Sequence, residues 1–273
     1  MFGLDDLVAC LTLRDLGDDV VEGDNLDIGY HRVFGGQILA QIISAASAAS
    51  PDKNVKSLNV LFPREGDTSK PMRYRVDKLQ DGRTFGTTSI VATQDDKVIS
   101  AATVSMHSHE DSTLHRSDPP PAVGRGDDAT PTDIPLIPFE IRIVDGVDLA
   151  SHDVGPASYQ MWMRAPGVAA DAPLAVHQAL LAHSTDLTII GTALRPFDGV
   201  SQADSTISLH TAVTSHSVWF HQPFALNQWL LLTQTSPVVA NGRAFGRGDV
   251  FNSSGEIVAS FAQESMIRSI TPQ

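Results

Sequence analysis

Along this chain, helical and strand-like apolar spacings alternate, and they do so twice in the same order. Gln37-Ile38-Leu39-Ala40-Gln41-Ile42-Ile43-Ser44-Ala45-Ala46 places apolar side chains around nearly the whole helical circumference, which predicts a buried helix opening after Gly35-Gly36. Its counterpart falls at residues 173–187, with Pro173 in the first turn and Val176, Ala179, Leu180 and His183 at spacings of three and four. Strand-like runs follow each helix, at residues 57–62 and 72–79 in the first half and 215–221 and 229–234 in the second. Helix then antiparallel sheet, twice over, predicts an α+β fold in which a curved sheet wraps a long apolar helix in each half.

The halves share sequence as well as order. Gly82-Arg83-Thr84-Phe85-Gly86 and Gly242-Arg243-Ala244-Phe245-Gly246 lie 160 residues apart. At the same offset Ile90 and Val91 fall on Val250 and Phe251, and Met106 on Met266, so a hairpin is expected to repeat in register. Its tips are Gln94-Asp95-Asp96-Lys97 and Asn252-Ser253-Ser254-Gly255-Glu256, both rich in turn formers. Between the halves, residues 110–135 turn to Asp, Ser, Pro and Gly, a composition that does not pack a core. The expected organisation is an N-terminal unit over 1–109, a linker over 110–135 and a C-terminal unit over 136–273.

Composition narrows the function classes. The 273 residues are 42% hydrophobic, enough for real cores. No apolar run approaches the roughly 18 residues that cross a bilayer, so no stable membrane association is expected. The first residues lack the basic and apolar regions of a secretory signal, and the single cysteine, Cys10, permits no intrachain disulfide. Both point to the cytoplasm. A net charge of −13 disfavours nucleic acid as a partner, since such binding draws on Lys and Arg neutralising phosphates. The ten histidines show no metal-ligand spacing, and neither a phosphate loop nor a dinucleotide fingerprint occurs, so no metal and no cofactor is expected. His221 stands without a Gly-x-Ser-x-Gly elbow and reads as structural.

Arg32-Val33-Phe34-Gly35-Gly36-Gln37-Ile38-Leu39-Ala40-Gln41 resembles the opening of the first helix in the bacterial type II acyl-CoA thioesterase family. Further blocks resemble that family in its order: Ser57-Leu58-Asn59-Val60-Leu61-Phe62-Pro63-Arg64-Glu65-Gly66-Asp67, Asp81-Gly82-Arg83-Thr84-Phe85, Ser184-Thr185-Asp186-Leu187, Val218-Trp219-Phe220-His221 and Val258-Ala259-Ser260-Phe261-Ala262-Gln263-Glu264. The resemblance implies a double hot-dog fold and hydrolysis of fatty acyl-CoA to free acid and CoA. It also implies a water held by an Asp at the end of the second helix, a strand hydroxyl and a Gln on the last strand.

Asp186 and Gln263 occupy two of those positions. Asp186 has apolar neighbours that favour partial burial and a raised pKa, although an Asp bonding backbone at a helix end is the plainer alternative. Gln263 offers an amide that both donates and accepts, or is simply a satisfied strand glutamine. The hydroxyl position holds Val213, and strand alternation makes Ser215 the substitute; a bulge near Thr214 would instead bring that hydroxyl inward. Gly35 and Gly36, at a helix start, are candidate oxyanion donors or merely a tight helix entry. Among basic residues offered to the CoA phosphates, Arg64 stands with Arg32, Arg83, Arg243 and Arg247. Two rivals remain. A hot-dog hydratase needs a close Asp and His near a helix start, which is not evident; a weak or silent acyl-CoA-binding protein is permitted by Val213. Self-association into a homo-oligomer through sheet surfaces is also expected.

Overall fold

The computed structural model describes residues 2–124, 126–128, 131–205 and 207–270. Two long helices form the centre, with a short one at the N-terminus beside them. α1 (Leu4–Cys10) is a short N-terminal helix, and α2 (Gly35–Ala49) is the long apolar one, buried continuously from Gly36 to Ile43. Two polar residues interrupt that apolar surface. Gln41 accepts from the Tyr74 hydroxyl at 2.6 Å and donates to the carbonyls of Cys10 and Asp24 at 3.0 and 2.9 Å, while Gln37 accepts from the Leu26 amide at 2.9 Å. They satisfy backbone groups of the N-terminal strap that covers the helix, which is how amides are tolerated in this core.

The second helix, α3 (Leu174–Thr185), is followed by α4 (Ile189–Leu194). Pro173 lies just outside α3 as its extended N-cap, one position earlier than first-turn spacing implies. The N-terminus of α2 meets the C-terminus of α3 so closely that a Cβ on Gly36 would sit 2.3 Å from the His183 carbonyl oxygen. Glycine at position 36 is therefore a packing requirement of the helix pair.

Around the helices runs one antiparallel sheet. In chain order its strands are β1 (Arg14–Gly17), β2 (Val20–Gly23), β3 (Asn54–Leu61), β4 (Met72–Asp81), β5 (Phe85–Gln94), β6 (Lys97–His107), β7 (Pro131–Ile134), β8 (Ile137–Ile143), β9 (Ser158–Arg164), β10 (Leu209–Phe220), β11 (Leu230–Ala240), β12 (Arg243–Phe251) and β13 (Ile257–Ser269). Their spatial order is β1-β2-β4-β5-β6-β3-β10-β13-β12-β11-β9-β8-β7, so β3 and β10 join two half-sheets of matching order. This is the α+β double hot-dog arrangement.

Three details depart from the sequence expectation. The repeated hairpins do not superpose at an offset of 160. Gly86 pairs with Met106, whereas Gly246 pairs with Gln263 and not with Met266, so the second hairpin closes three residues sooner; each carries one bulge residue near its tip, Ile99 on β6 and Val258 on β13. Part of the expected linker, β7, is a strand pairing with β8; the stretch before it crosses β13, where Ser117 accepts from the Ile257 amide at 2.9 Å. Finally, α1 packs against α3 and β8, elements of the C-terminal half, and buries Leu7 completely.

Candidate active site

Asp186 is the C-cap of α3 and is 3% exposed. Burial raises its pKa to about 7, opposed by the Gly36 amide that serves the carboxylate. The negative end of the α3 dipole acts in the same direction as burial, and the start of α2 acts against it. Oδ1 of Asp186 has no hydrogen-bond partner among the described residues. Gly35 is needed here, since a Cβ on it would fall 2.7 Å from Asp186 Oδ2.

Beside the carboxylate stands His216, fully buried, with Nδ1 3.8 Å from Asp186 Oδ1. Its Nδ1 lies 3.0 Å from Gln263 Oε1 and its Nε2 2.9 Å from the Thr185 hydroxyl. With Nδ1 donating to Gln263 Oε1, the neutral imidazole presents Nε2 as acceptor to the Thr185 hydroxyl, whose one proton is divided between Nε2 and the Ala182 carbonyl at 2.9 Å. Burial lowers the His216 pKa to about 4, so the imidazole is uncharged at neutral pH. Gln263 continues the chain by donating to Ser265 Oγ at 2.9 Å. Asp186, His216, Gln263 and Ser265 thus form a buried polar row inside an apolar shell.

A cleft of about 580 Å³ reaches Asp186 from the surface. Phe34 and Gly35 line it at the start of α2, Arg64 at the exit of β3, and Val213 and Thr214 on β10. Gly36 is not on its wall, so of the two proposed amide donors Gly35 faces the cleft while Gly36 serves the carboxylate. Arg64 lies on the cleft wall and donates to the Val98 carbonyl at 3.2 Å; Arg32, paired with Glu65 at 2.5 Å, lies there too. Glu65 lines the cleft as well, so of the two arginines Arg64 is the one without a carboxylate partner among the described residues.

The structure does not bring Ser215 to this cluster. β10 bulges between Val213 and Ser215, where the β13 partners step only from Ser265 to Glu264. The extra residue, Thr214, reverses the alternation, so His216 faces the core and half-buried Ser215 lies on the outer face with Leu61. Thr214 lines the cleft, its hydroxyl donating to the Glu264 carbonyl at 3.0 Å. His216 was missed by sequence reasoning. The available signal was its spacing of two from Val218 and Phe220, which marks an inward histidine once the bulge is known. His221, by contrast, is exposed, its Nε2 3.0 Å from Ser260 Oγ, and lies away from the cleft. Among the described residues no group of three or more His, Cys, Asp or Glu is placed to hold a metal ion.

A buried, cleft-facing carboxylate beside a glycine helix start, in two fused hot-dog units, defines a class: hot-dog enzymes acting on acyl thioesters. Residues 23–107 match the family described as acyl-CoA thioesterase N-terminal domain, and residues 147–266 the family described as acyl-CoA thioesterase. Acyl-CoA thioesterase 2 of Haemophilus influenzae is 31% identical, covering 97% of this chain and 98% of its own. The solved tesB protein of Mycobacterium avium subspecies paratuberculosis is 29% identical with a TM-score of 0.83, covering 97% of this chain and all of that one. A hot-dog-fold protein from Alicyclobacillus acidocaldarius shares the fold at 19% identity, with a TM-score of 0.79 over 97% of this chain and 99% of its own. The chain belongs to the TesB-like acyl-CoA thioesterase family, and it is an acyl-CoA thioester hydrolase.

Proposed function

We propose that hydrolysis of fatty acyl-CoA runs through a water activated at Asp186. The observation that carries the proposal is a carboxylate almost wholly buried yet on the wall of the cleft, with a pKa near 7 and one oxygen unpartnered among the described residues. Its ionised form takes a proton from water as the water oxygen bonds to the thioester carbonyl carbon. Negative charge then develops on the carbonyl oxygen, where the Gly35 amide at the α2 N-terminus is the donor. Collapse breaks the C–S bond, and the CoA thiolate leaves with the proton that Asp186 had held. Gln263 acts through His216, fixing the imidazole that flanks the carboxylate. Arg64 and Arg32 offer charge to the CoA phosphates at the mouth.

The pairing of Asp186 with His216 revives the hydratase reading, since an Asp and a His now stand together at a helix start. Against it, both ring nitrogens are engaged and His216 is not on the cleft wall. The proposal extends to a cytoplasmic homo-oligomer, for which the exposed Leu61 and Trp219 on the outer face of the central strands offer an apolar contact. The test is CoA-thiol release by the protein and Asp186→Asn, beside binding of the same acyl-CoA. Turnover lost with binding retained supports the reading; binding without turnover in the unaltered protein supports the silent module and removes it.

A further inference from the structure

A second cavity of about 570 Å³ lies behind the cleft. Ile134, Ile143, Val147, Leu149 and Tyr159 give it an apolar side, and Asp133 and Asp148 stand on the same wall. The partition between the two spaces is thin. Leu136 faces the cleft and its neighbour Pro135 the second cavity; Leu187 faces the cleft and Thr188 the second cavity. Gln202 borders both.

The Gln202 side chain is held by fit more than by hydrogen bonds. Among the described residues its buried Oε1 has no partner, and its Nε2 reaches the Leu187 carbonyl only at 3.5 Å. Room for the amide comes from Gly191, where a Cβ would lie 2.2 Å from Oε1. A glycine inside α4 that leaves space for an unsatisfied amide costs helix propensity and hydrogen bonding together. Neither is explained by packing alone.

We propose that Gln202 is the stop that sets acyl-chain length, and that the cavity behind it receives the distal carbons of a longer chain once the stop is shortened. A thioester seated at Asp186 directs its tail along Leu187 and Ile190, which line the same cleft. The tail meets Gln202 next, because the wall changes sides there. Removing the amide joins two spaces of similar size along their apolar sides. The inference rests on the hydrolase reading for the placement of the thioester, but the gate itself is a matter of volume.

The experiment compares the unaltered protein, Gln202→Ala and Gln202→Leu over saturated acyl-CoAs from hexanoyl to palmitoyl. Both kcat/KM and the affinity of non-hydrolysable thioether analogues of the same lengths are measured, with melting curves to establish folding. Each further methylene that becomes buried is expected to add about fourfold. Two to four of them would raise the palmitoyl-to-hexanoyl ratio by roughly 15- to 250-fold in Gln202→Ala. Gln202→Leu keeps the volume and is expected to keep the original profile. A folded Gln202→Ala with an unchanged ratio overturns the proposal, as does Gln202→Leu shifting as far as Gln202→Ala. Absence of turnover in the unaltered protein would count against the hydrolase reading, while the thioether affinities would still decide the gate.

Discussion

Replacing Asp186 with Asn should stabilise the fold at neutral pH while it removes activity. A carboxyl group whose pKa rises from 3.8 when unfolded to about 7 when folded favours folding only while protonated. The sign follows: its contribution is intact below the unfolded pKa and is lost as pH rises through the folded one. At about 1.4 kcal/mol per pH unit, ionising this carboxylate in place costs roughly 4 kcal/mol by pH 8 and under about 1 kcal/mol at pH 4. Asn occupies the same space and never ionises. The assay is urea unfolding of both proteins from pH 4 to pH 8, read as the difference in unfolding free energy. The difference cancels His183, whose pKa burial lowers to about 4 and which withdraws stability from both proteins as pH falls from 6.5. His216, 3.8 Å from the carboxylate, is lowered in the same way and acts below the pH range where the Asp186 effect is largest. The Asp186→Asn variant should be favoured increasingly between pH 4 and pH 7, its advantage approaching that figure of about 4 kcal/mol. A flat difference, or one favouring Asp at pH 8, would show that the carboxylate is not held in a desolvated, charge-averse site.

Gly36→Ala should destabilise by about 1–3 kcal/mol or more, because its Cβ meets the His183 carbonyl, which cannot move without displacing α3; thermal melting reads the loss. Gly35→Ala should fold better than Gly36→Ala, since its Cβ meets the Asp186 side chain instead, but should lower kcat by roughly 100-fold through a displaced carboxylate. Single-turnover CoA release measures it, and a rate within a few-fold of the original would detach Gly35 from the chemistry. Gln263→Leu should cut kcat by about 10- to 100-fold with little change in acyl-CoA affinity, as His216 loses its Nδ1 partner; equal loss of affinity would make Gln263 a binding residue.

Much of this architecture is legible in the sequence, and the reasons for the remainder are local. The apolar circumference of α2 and the β-rich runs after each helix announce themselves because each element buries its own pattern. Gly35, Asp186 and Gln263 are nameable because their neighbours carry family blocks. What escapes is set by single residues. The bulge at Thr214, left open in the sequence as the alternative to Ser215, is the one the structure shows; it turns Ser215 outward and His216 inward, and nothing in Thr211-Ala212-Val213-Thr214-Ser215 decides between the two. The second hairpin closes three residues sooner than the first, Gly246 on Gln263 against Gly86 on Met106, which identity matching along the chain does not register. The docking of α1 on the C-terminal half depends on Leu7 finding a pocket far along the chain, and no local pattern encodes that choice.

The most direct test of the central claim is the pH dependence of kcat for CoA-thiol release under saturating acyl-CoA. A general base buried as Asp186 is predicts a rate that rises with pH through an apparent pKa near 7 and levels above it. A rate already level from pH 5 upward would contradict the account, since it would mean that the group activating water is ionised well below the pH at which this carboxylate takes up its proton.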